Sequence, residues 1–425
     1  MRLLIIFIFS LSYNFSVEAQ GALNLSVDKV IQLCKADNLT VKNLQLRTDI
    51  AKADHLASKG WWLPEVFLGT KLHHLHGSGL NTDGRIFSDV DRQSRWYGGE
   101  LGIDWDFAKG IFDTKANKLM AEAQAYRNTV NKEQQVLLAI ESYYSSLLAK
   151  TKAEILIGLI EIKAKLIQQL SKQAKVGLSL ESDLLLAQSN LNRLKYEAIN
   201  AKQEYYQNAA QLLGLINKVK VDSLALSTDD IKRLELVNFE ELEKSQIEEH
   251  PLLEAGQLLV EAGQAKEKMV NKSLAFPKAG IRYDYGPFGL DYDDNQLTRS
   301  WQGYVGWRLP LNQIFYNGEG KKADLQTKLN ELAYQESKRN LQNEKNNIVE
   351  QLKLIKALLD SKGEEDFAER ALEQTIVRQE AGIGTLLEVL QAQEEFIQAK
   401  LMEAEMIISY NVLQYKMLIN LGRSI

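Results

Sequence analysis

The chain has 425 residues, with 51 Lys and Arg against 56 Asp and Glu, a net charge of −5 that is too small to mark a nucleic-acid binder. Its length leaves room for two or three ordinary domains, and a hydrophobic fraction of 45% is that of a folded protein. There are 5 prolines, none between Pro64 and Pro251 or after Pro310, and glycine is sparse along those stretches, so two regions free of helix breakers permit very long helices.

Residues 1–19 read as an export signal. Arg2 precedes an apolar run from Leu3 to Leu11, and Val17-Glu18-Ala19 has the look of a small-residue cleavage site. The run is too short to cross a bilayer as a helix, and no later stretch is long and apolar enough, which argues against an inner-membrane protein. Cys34, the single cysteine, lies well past the cleavage site in a helical pattern. It can form no internal disulfide and is badly placed for lipid attachment at a new N-terminus, so a buried free thiol is predicted.

Ser26 is an N-cap for a helix predicted to run towards Gly60. Strands follow over about 66–76 and 96–107, with a polar, glycine-containing loop between them. A helix then extends from about Phe112 to Lys175, roughly 90–95 Å at 1.5 Å per residue. The chain turns at a hairpin tip over about 176–179 and returns as a helix to about Gly214. These elements form a first half, 20–214. The segment 215–237 is mixed and polar and shows no clear period. The second half, 238–425, opens on Asn238 and Glu241, spaced as in a capping box, with His250-Pro251 interrupting that helix early. Strands are predicted over about 279–285 and 301–309, a long helix from about Gly318 to Glu380, a tip over about 381–385, and a return helix from about Thr385 to Leu421.

The halves repeat one another. Gly177, Ala187-Gln188 and Tyr205 recur, each 205 positions later, as Gly382, Ala392-Gln393 and Tyr410. Leu63-Pro64 corresponds to Phe276-Pro277 and Trp105 to Trp307, with offsets that drift as loop lengths differ. An ordered series of this kind indicates a tandem duplication of helix, two strands, very long helix, tight turn and helix.

The strands alternate in polarity. Tyr97, Gly99, Leu101, Ile103, Trp105 and Phe107 share one face, and Gly98, Glu100, Gly102, Asp104 and Asp106 the other. Ile281, Tyr283 and Tyr285 oppose Arg282 and Asp284, and Trp301, Val305, Trp307 and Leu309 oppose Gln302 and Arg308. This period of two puts one face in an apolar medium and the other in water, as a half-buried soluble sheet would also do. All 6 tryptophans, Trp61, Trp62, Trp96, Trp105, Trp301 and Trp307, lie in or beside these strands, as in the aromatic girdles of outer-membrane barrels. Four strands close no barrel, and open edges in lipid leave backbone groups unsatisfied at several kcal/mol each. An oligomer is therefore predicted. Two copies supply eight strands and a filled interior, and three supply twelve and a bore.

The return helices carry heptad spacing. Leu184, Ala187, Leu191, Leu194, Ala198, Ala201 and Tyr205 step by three and four residues, and Val389, Ala392, Phe396, Ala399, Met406 and Tyr410 repeat the series, with Glu403 as an exception. The seam alone fits an ordinary antiparallel bundle equally well.

The order of these elements resembles the TolC outer-membrane efflux family. Val176-Gly177-Leu178 at one tip, Gly382 with Glu388-Val389-Leu390-Gln391-Ala392 after the other, His250-Pro251 and the two helix-to-strand junctions at Leu63-Pro64 and Phe276-Pro277 carry the resemblance over nearly all of the mature chain. It implies a mainly α protein with a membrane β-barrel: a homotrimer with a 12-stranded barrel in the outer membrane and a 12-helix periplasmic tunnel. It implies partners too: a periplasmic adaptor and an inner-membrane transporter of the RND or ABC class. In the family, an acidic ring lines the periplasmic constriction where Glu388 falls. Gln391 stands where some members have a second acid, and Gly384 where some hold a basic residue that latches the closed gate, so gate closure must differ here. Val176, Gly177, Leu178, Gly382 and Ile383 are the expected adaptor-contact residues.

His73-His74-Leu75-His76 is the one metal-like cluster, with His74 and His76 on one strand face, but a third spaced ligand is not evident and no metal site is predicted. A phosphate loop, a zinc-helix motif and a nucleophile elbow are all missing from the sequence, which points to no enzyme and no cofactor. The expected function is a passive export duct of a tripartite efflux or type I secretion system. A soluble periplasmic coiled-coil scaffold or adaptor is the alternative, and its sheets would bury their apolar faces internally.

Overall fold

The computed structural model describes residues 23–80, 84–176, 180–218, 224–227, 230–238, 247–273, 275–289, 296–308, 311–361, 364–381 and 383–425. The export signal, the tip residues Gly177, Leu178 and Gly382, and Glu241 of the predicted capping pair lie outside them. The chain forms two compact units, one from Met1–Lys42, Lys132–Ser245 and Lys345–Ile425, the other from Asn43–Asn131 and Gln246–Glu344.

In the first unit, β1 (Leu23–Leu25) pairs in parallel with β4 (Leu224–Leu226). Ser26 caps α1 (Val27–Asp37), its hydroxyl accepting from the Lys29 N–H at 3.4 Å. The apolar period of α1 then buries Val30 and Cys34 against Ile140, Tyr143 and Leu147 of α3 (Phe107–Lys175) and Leu212 of α4 (Glu181–Leu215). Cys34 is a buried free thiol, and burial raises its pKa. Tyr143 donates to Asp230 Oδ2 at 2.6 Å, and the same oxygen accepts from the Val27 N–H at 3.0 Å, which ties the strand pair to the long helix.

The segment without a readable period, 215–237, contains β4 and then a strap held by side chains of α9 (Leu386–Asn420). Asn411 accepts from the Leu234 N–H at 2.9 Å and donates to the Lys232 carbonyl at 2.9 Å, while Gln414 does the same for Leu236 and Leu234 at 2.7 and 2.8 Å. The two amides act as a partner strand would, so the strap needs no hydrophobic pattern of its own.

α3 has 69 residues, about 100 Å of helix. It begins at Phe107, five residues before the predicted start, because Asp106 Oδ1 accepts from the Lys109 N–H at 3.0 Å and caps it directly at the strand end. The second long helix is not continuous. α7 (Gly318–Asp360) and α8 (Glu364–Glu380) are separate, where prediction ran one helix to Glu380. The interval carries Ser361 and Gly363, and the Ser361 hydroxyl donates to the Leu358 carbonyl at 2.8 Å, closing the end of α7. α4 and α9 have 35 residues each, and of their seam residues Ala187, Leu194, Ala198, Ala201, Val389, Ala399 and Tyr410 are buried.

In the second unit, α2 (Leu39–Ser58) ends in a 3-10 turn over Lys59–Trp62 that leads into a four-stranded antiparallel sheet in the order β2-β3-β5-β6. The strands are β2 (Glu65–Leu80), β3 (Ile86–Asp106), β5 (Lys278–Gly289) and β6 (Gln296–Gly306). β2 and β3 run well past the predicted limits into the polar segment read as a loop. Their ladder continues from Leu72↔Arg95 to His76↔Asp91, held by backbone bonds where neither face is apolar and the alternation fades. β3 and β5 approach so closely at Gly98 and Gly286 that a Cβ on either would strike the facing backbone. His250-Pro251 starts a helix, and residues 239–246, over which the helix it was expected to interrupt would run, lie outside the described residues. Pro251 opens α5 (Pro251–Lys272) and His250 Nδ1 accepts from the Leu252 N–H at 3.0 Å. After β6 a short α6 (Leu311–Tyr316) and Asn317, at φ 42°, lead into α7.

Candidate functional site

Register fixes which sheet residues share a face. Val66, Leu101, Tyr283 and Trp301 form one row, and Ile103 with Ile281, then Trp105 with Ala279 and Val305, stand beside it on the same face. This face is apolar and open. Leu68 and Trp301 are each 78% exposed, with no cover from the described helices and loops of the unit. The opposite face is charged. Lys71 bonds Glu100 and, at 3.1 Å, Asp284; Arg282 donates to Glu100 at 2.8 Å; Lys278 pairs with Asp106; and Tyr304 donates to Asp104 at 2.6 Å. A sheet with an uncovered apolar face, a salt-bridged polar face and two outer strands with one neighbour each is suited to lie between lipid and water once its edges are paired.

The tryptophans divide between these faces. Trp105, Trp301 and Trp307 follow the apolar parity, with Trp105 Nε1 donating to the Trp62 carbonyl at 3.4 Å and Trp307 Nε1 to the Ala275 carbonyl at 3.5 Å. Trp61 packs edge-on to Phe107 at 5.8 Å, and Trp62 is exposed beside it. Trp96 stands on the charged face instead, buried with the Lys71 ammonium 4.8 Å above its ring. It is even-numbered on a strand whose odd-numbered residues make the apolar row, so parity separates it from the girdle with which it was grouped.

In the other unit, the hairpin ends are apolar and open: Val176 is 69% and Ile383 74% exposed. Gly384 donates its N–H to the Arg378 carbonyl at 3.0 Å, and a Cβ there would press on the backbone of Arg378 and Gln379. Thr385 caps α9 in a full capping box: its hydroxyl accepts from the Glu388 N–H at 3.2 Å, and the Glu388 carboxylate accepts from the Thr385 N–H at 3.4 Å. Glu388 is therefore partly engaged by its own helix, and Gln391 lies exposed one turn on.

Two ionic clusters in this unit escaped sequence reading. Lys163, with a side chain 3% exposed, donates to Glu394 at 3.1 Å, and Arg193 bonds the other oxygen, so one carboxylate joins α3, α4 and α9. Burial alone would raise Glu394, but Lys163 and Arg193 outweigh it and hold the carboxyl below its usual range. The signal was present, since Lys163 follows Leu156, Leu159 and Ile160 at helical spacing on an apolar face.

The second cluster involves Glu403, the exception in the seam. It shares a hydrogen bond with Glu365 of α8; this bond, partial burial and the neighbouring charge push its carboxyl up to about 7, against a smaller pull from Lys400. A carboxyl raised from 4.5 to about 7 holds its proton in the folded state after an unfolded chain would have released it. The stability it contributes is thus complete below pH 4.5 and lost as pH rises to about 7. Thermal midpoints of the wild type are expected to fall between pH 5 and pH 8, and Glu403→Gln is expected to flatten that dependence.

Among the described residues, no helix is long and apolar enough to cross a membrane. No protein-family model and no curated protein matches the sequence. Solved structures do. The outer-membrane channel OprN aligns with TM-score 0.77 at 14% identity, over 93% of this chain and 89% of its own. The CmeC outer membrane channel of Campylobacter jejuni aligns with TM-score 0.77 at 16% identity, over 93% of this chain and 85% of its own. The outer membrane protein VceC of Vibrio cholerae gives TM-score 0.77 at 13% identity, over 94% of this chain and 96% of its own. Over nearly its whole length, the chain has the fold of the TolC-like outer-membrane channels.

Proposed function

We propose that the protein is the outer-membrane channel of a tripartite efflux or type I secretion system, a passive duct that catalyses nothing. The observation that carries this reading is the uncovered apolar face of a four-stranded sheet with two open edges, in a chain with the fold of solved channels. A soluble scaffold would cover that face with its own helices, whereas among the described residues large apolar side chains such as Leu68 and Trp301 stay exposed on it. Three copies pairing β6 of one with β2 of the next make twelve strands in the outer membrane, and their helices make a twelve-helix periplasmic tunnel. Trp62, Trp105, Trp301 and Trp307 then stand at or near the lipid interfaces, and the residues 1–19 direct export. The equal lengths of α4 and α9 support a chain of two repeats, 20–214 and 238–425.

Val176 and Ile383 present apolar ends to a periplasmic adaptor, which couples the duct to an RND or ABC transporter; the further expected contacts Gly177, Leu178 and Gly382 lie outside the described residues. Glu388 supplies one carboxylate per copy to a ring at the periplasmic mouth, made less negative by Gln391. The test of the function is conductance of the purified protein in planar bilayers: discrete channel openings support it, and a silent membrane contradicts it. The ring has its own test. Because glutamine also completes a capping box, Glu388→Gln removes the charge and keeps the helix start. A drop in cation preference of a few fold is expected in single-channel recordings, and an unchanged reversal potential would remove Glu388 from the gate.

A further inference from the structure

We propose that His74, His76 and Asp91 form a divalent transition-metal site on the outer rim of the β2–β3 hairpin. The two histidines are two residues apart on one strand and so point to one face, and the ladder sets Asp91 directly across from His76. His74 Nε2 lies 2.9 Å and His76 Nδ1 3.8 Å from the Asp91 carboxylate, and one donor atom from each of the three falls within 4.8 Å of the others. Donors bound to one ion at about 2.1 Å are roughly 3 to 4 Å apart, so closing the set needs only small rotations of exposed side chains. Sequence reading missed the third ligand because Asp91 is distant along the chain and is brought across by β3.

Two imidazoles and one carboxylate suit zinc, copper(II) or nickel(II) rather than magnesium or calcium, and three protein ligands leave positions open to water or an outside group. His73 points to the opposite face, opposite Ser94, and takes no part. The ion would clip β2 to β3 just before the ladder is broken by the bulge between Gly77 and Gly79. The site itself stands without the channel reading, but its position relative to the membrane rests on it. His74 is about 30 Å along β2 from Glu65, which at barrel tilt places it at the outer edge of a lipid band about 25 Å tall. It lies on the outward face, away from the charged face, so it binds an external ion and does not line the path of cargo.

The test uses the full-length, tag-free protein in detergent, titrated with zinc(II) by calorimetry and with copper(II) by electron paramagnetic resonance. One ion per chain is expected, with copper showing two nitrogen ligands. His74→Ala and His76→Ala should each weaken zinc at least about tenfold, Asp91→Asn should weaken it too, and His73→Ala should leave it unchanged. The proposal is overturned if the His74→Ala/His76→Ala double variant binds zinc as the wild type does, or if His73→Ala costs as much as His74→Ala. The unheated gel mobility of the same samples reports oligomeric state separately. A monomer with an intact metal site would defeat the channel and spare this inference, and a trimer without it would do the reverse.

Discussion

Leu101→Arg is expected to eliminate the assembled protein from the outer membrane, whereas Ser300→Arg, on the same sheet, is expected to leave it in place. Leu101 stands in the row formed by Val66, Tyr283 and Trp301 on the open apolar face. A guanidinium on the lipid face costs from about 1 kcal/mol near an interface to about 2–4 kcal/mol at the midplane, and every copy in the oligomer incurs it. Ser300 lies on the other face, its hydroxyl 3.4 Å from Asp284, where an arginine gains a partner and meets water. The comparison is made on washed outer membranes by the amount of folded oligomer on unheated gels. Equal tolerance of both substitutions would mean that neither face meets lipid.

Glu394→Ala is expected to loosen the first turns of α9 by leaving Lys163 buried without its partner. Removing one member of a fully buried pair costs 3–5 kcal/mol; Glu394 is partly exposed and Arg193 solvated, so about 2 kcal/mol is expected here. That corresponds to roughly 30-fold faster hydrogen exchange of the α9 amides near residue 394 where local opening governs exchange. Lys163→Met in the same chain should restore most of the protection, because the methionine occupies the buried position without a charge. Absence of rescue would assign the loss to packing rather than to the stranded ammonium.

What could be read without coordinates was what repeats. Period two in Tyr97–Phe107 and heptads in Leu184–Tyr205 arise because one face of each element meets an apolar surface, and such faces leave a rhythm in the residues. Elements without that one-sided burial left no such trace. β2 beyond His76 and β3 before Trp96 are wet on both sides, so those stretches looked like a loop. The strap at 232–236 takes its hydrogen bonds from Asn411 and Gln414, about 180 positions away. Caps were legible in principle and unevenly used: Ser26 was read, Asp106 was not. The break between α7 and α8 was passed over because one serine and one glycine weigh little against a long periodic run.

The candidate sites divide along the same line. Glu388 was found through its place in a resemblance, and the structure adds that its carboxylate closes a capping box with Thr385. Lys163 with Glu394, Glu365 with Glu403, and His74 with Asp91 are pairs whose members lie on different elements. Glu403 and His74 stood out in the sequence and Lys163 did not, and in each pair nothing local could reveal the partner.

The central claim is that the open sheet meets lipid only as part of a closed assembly. It is tested most directly by the apparent mass of the native protein retained in alkaline-washed outer membranes, measured unheated and after heating. Retention in the pellet, three times the chain mass unheated and a single chain after heating is the expected result. A monodisperse single chain released into the wash, free of detergent, would contradict it.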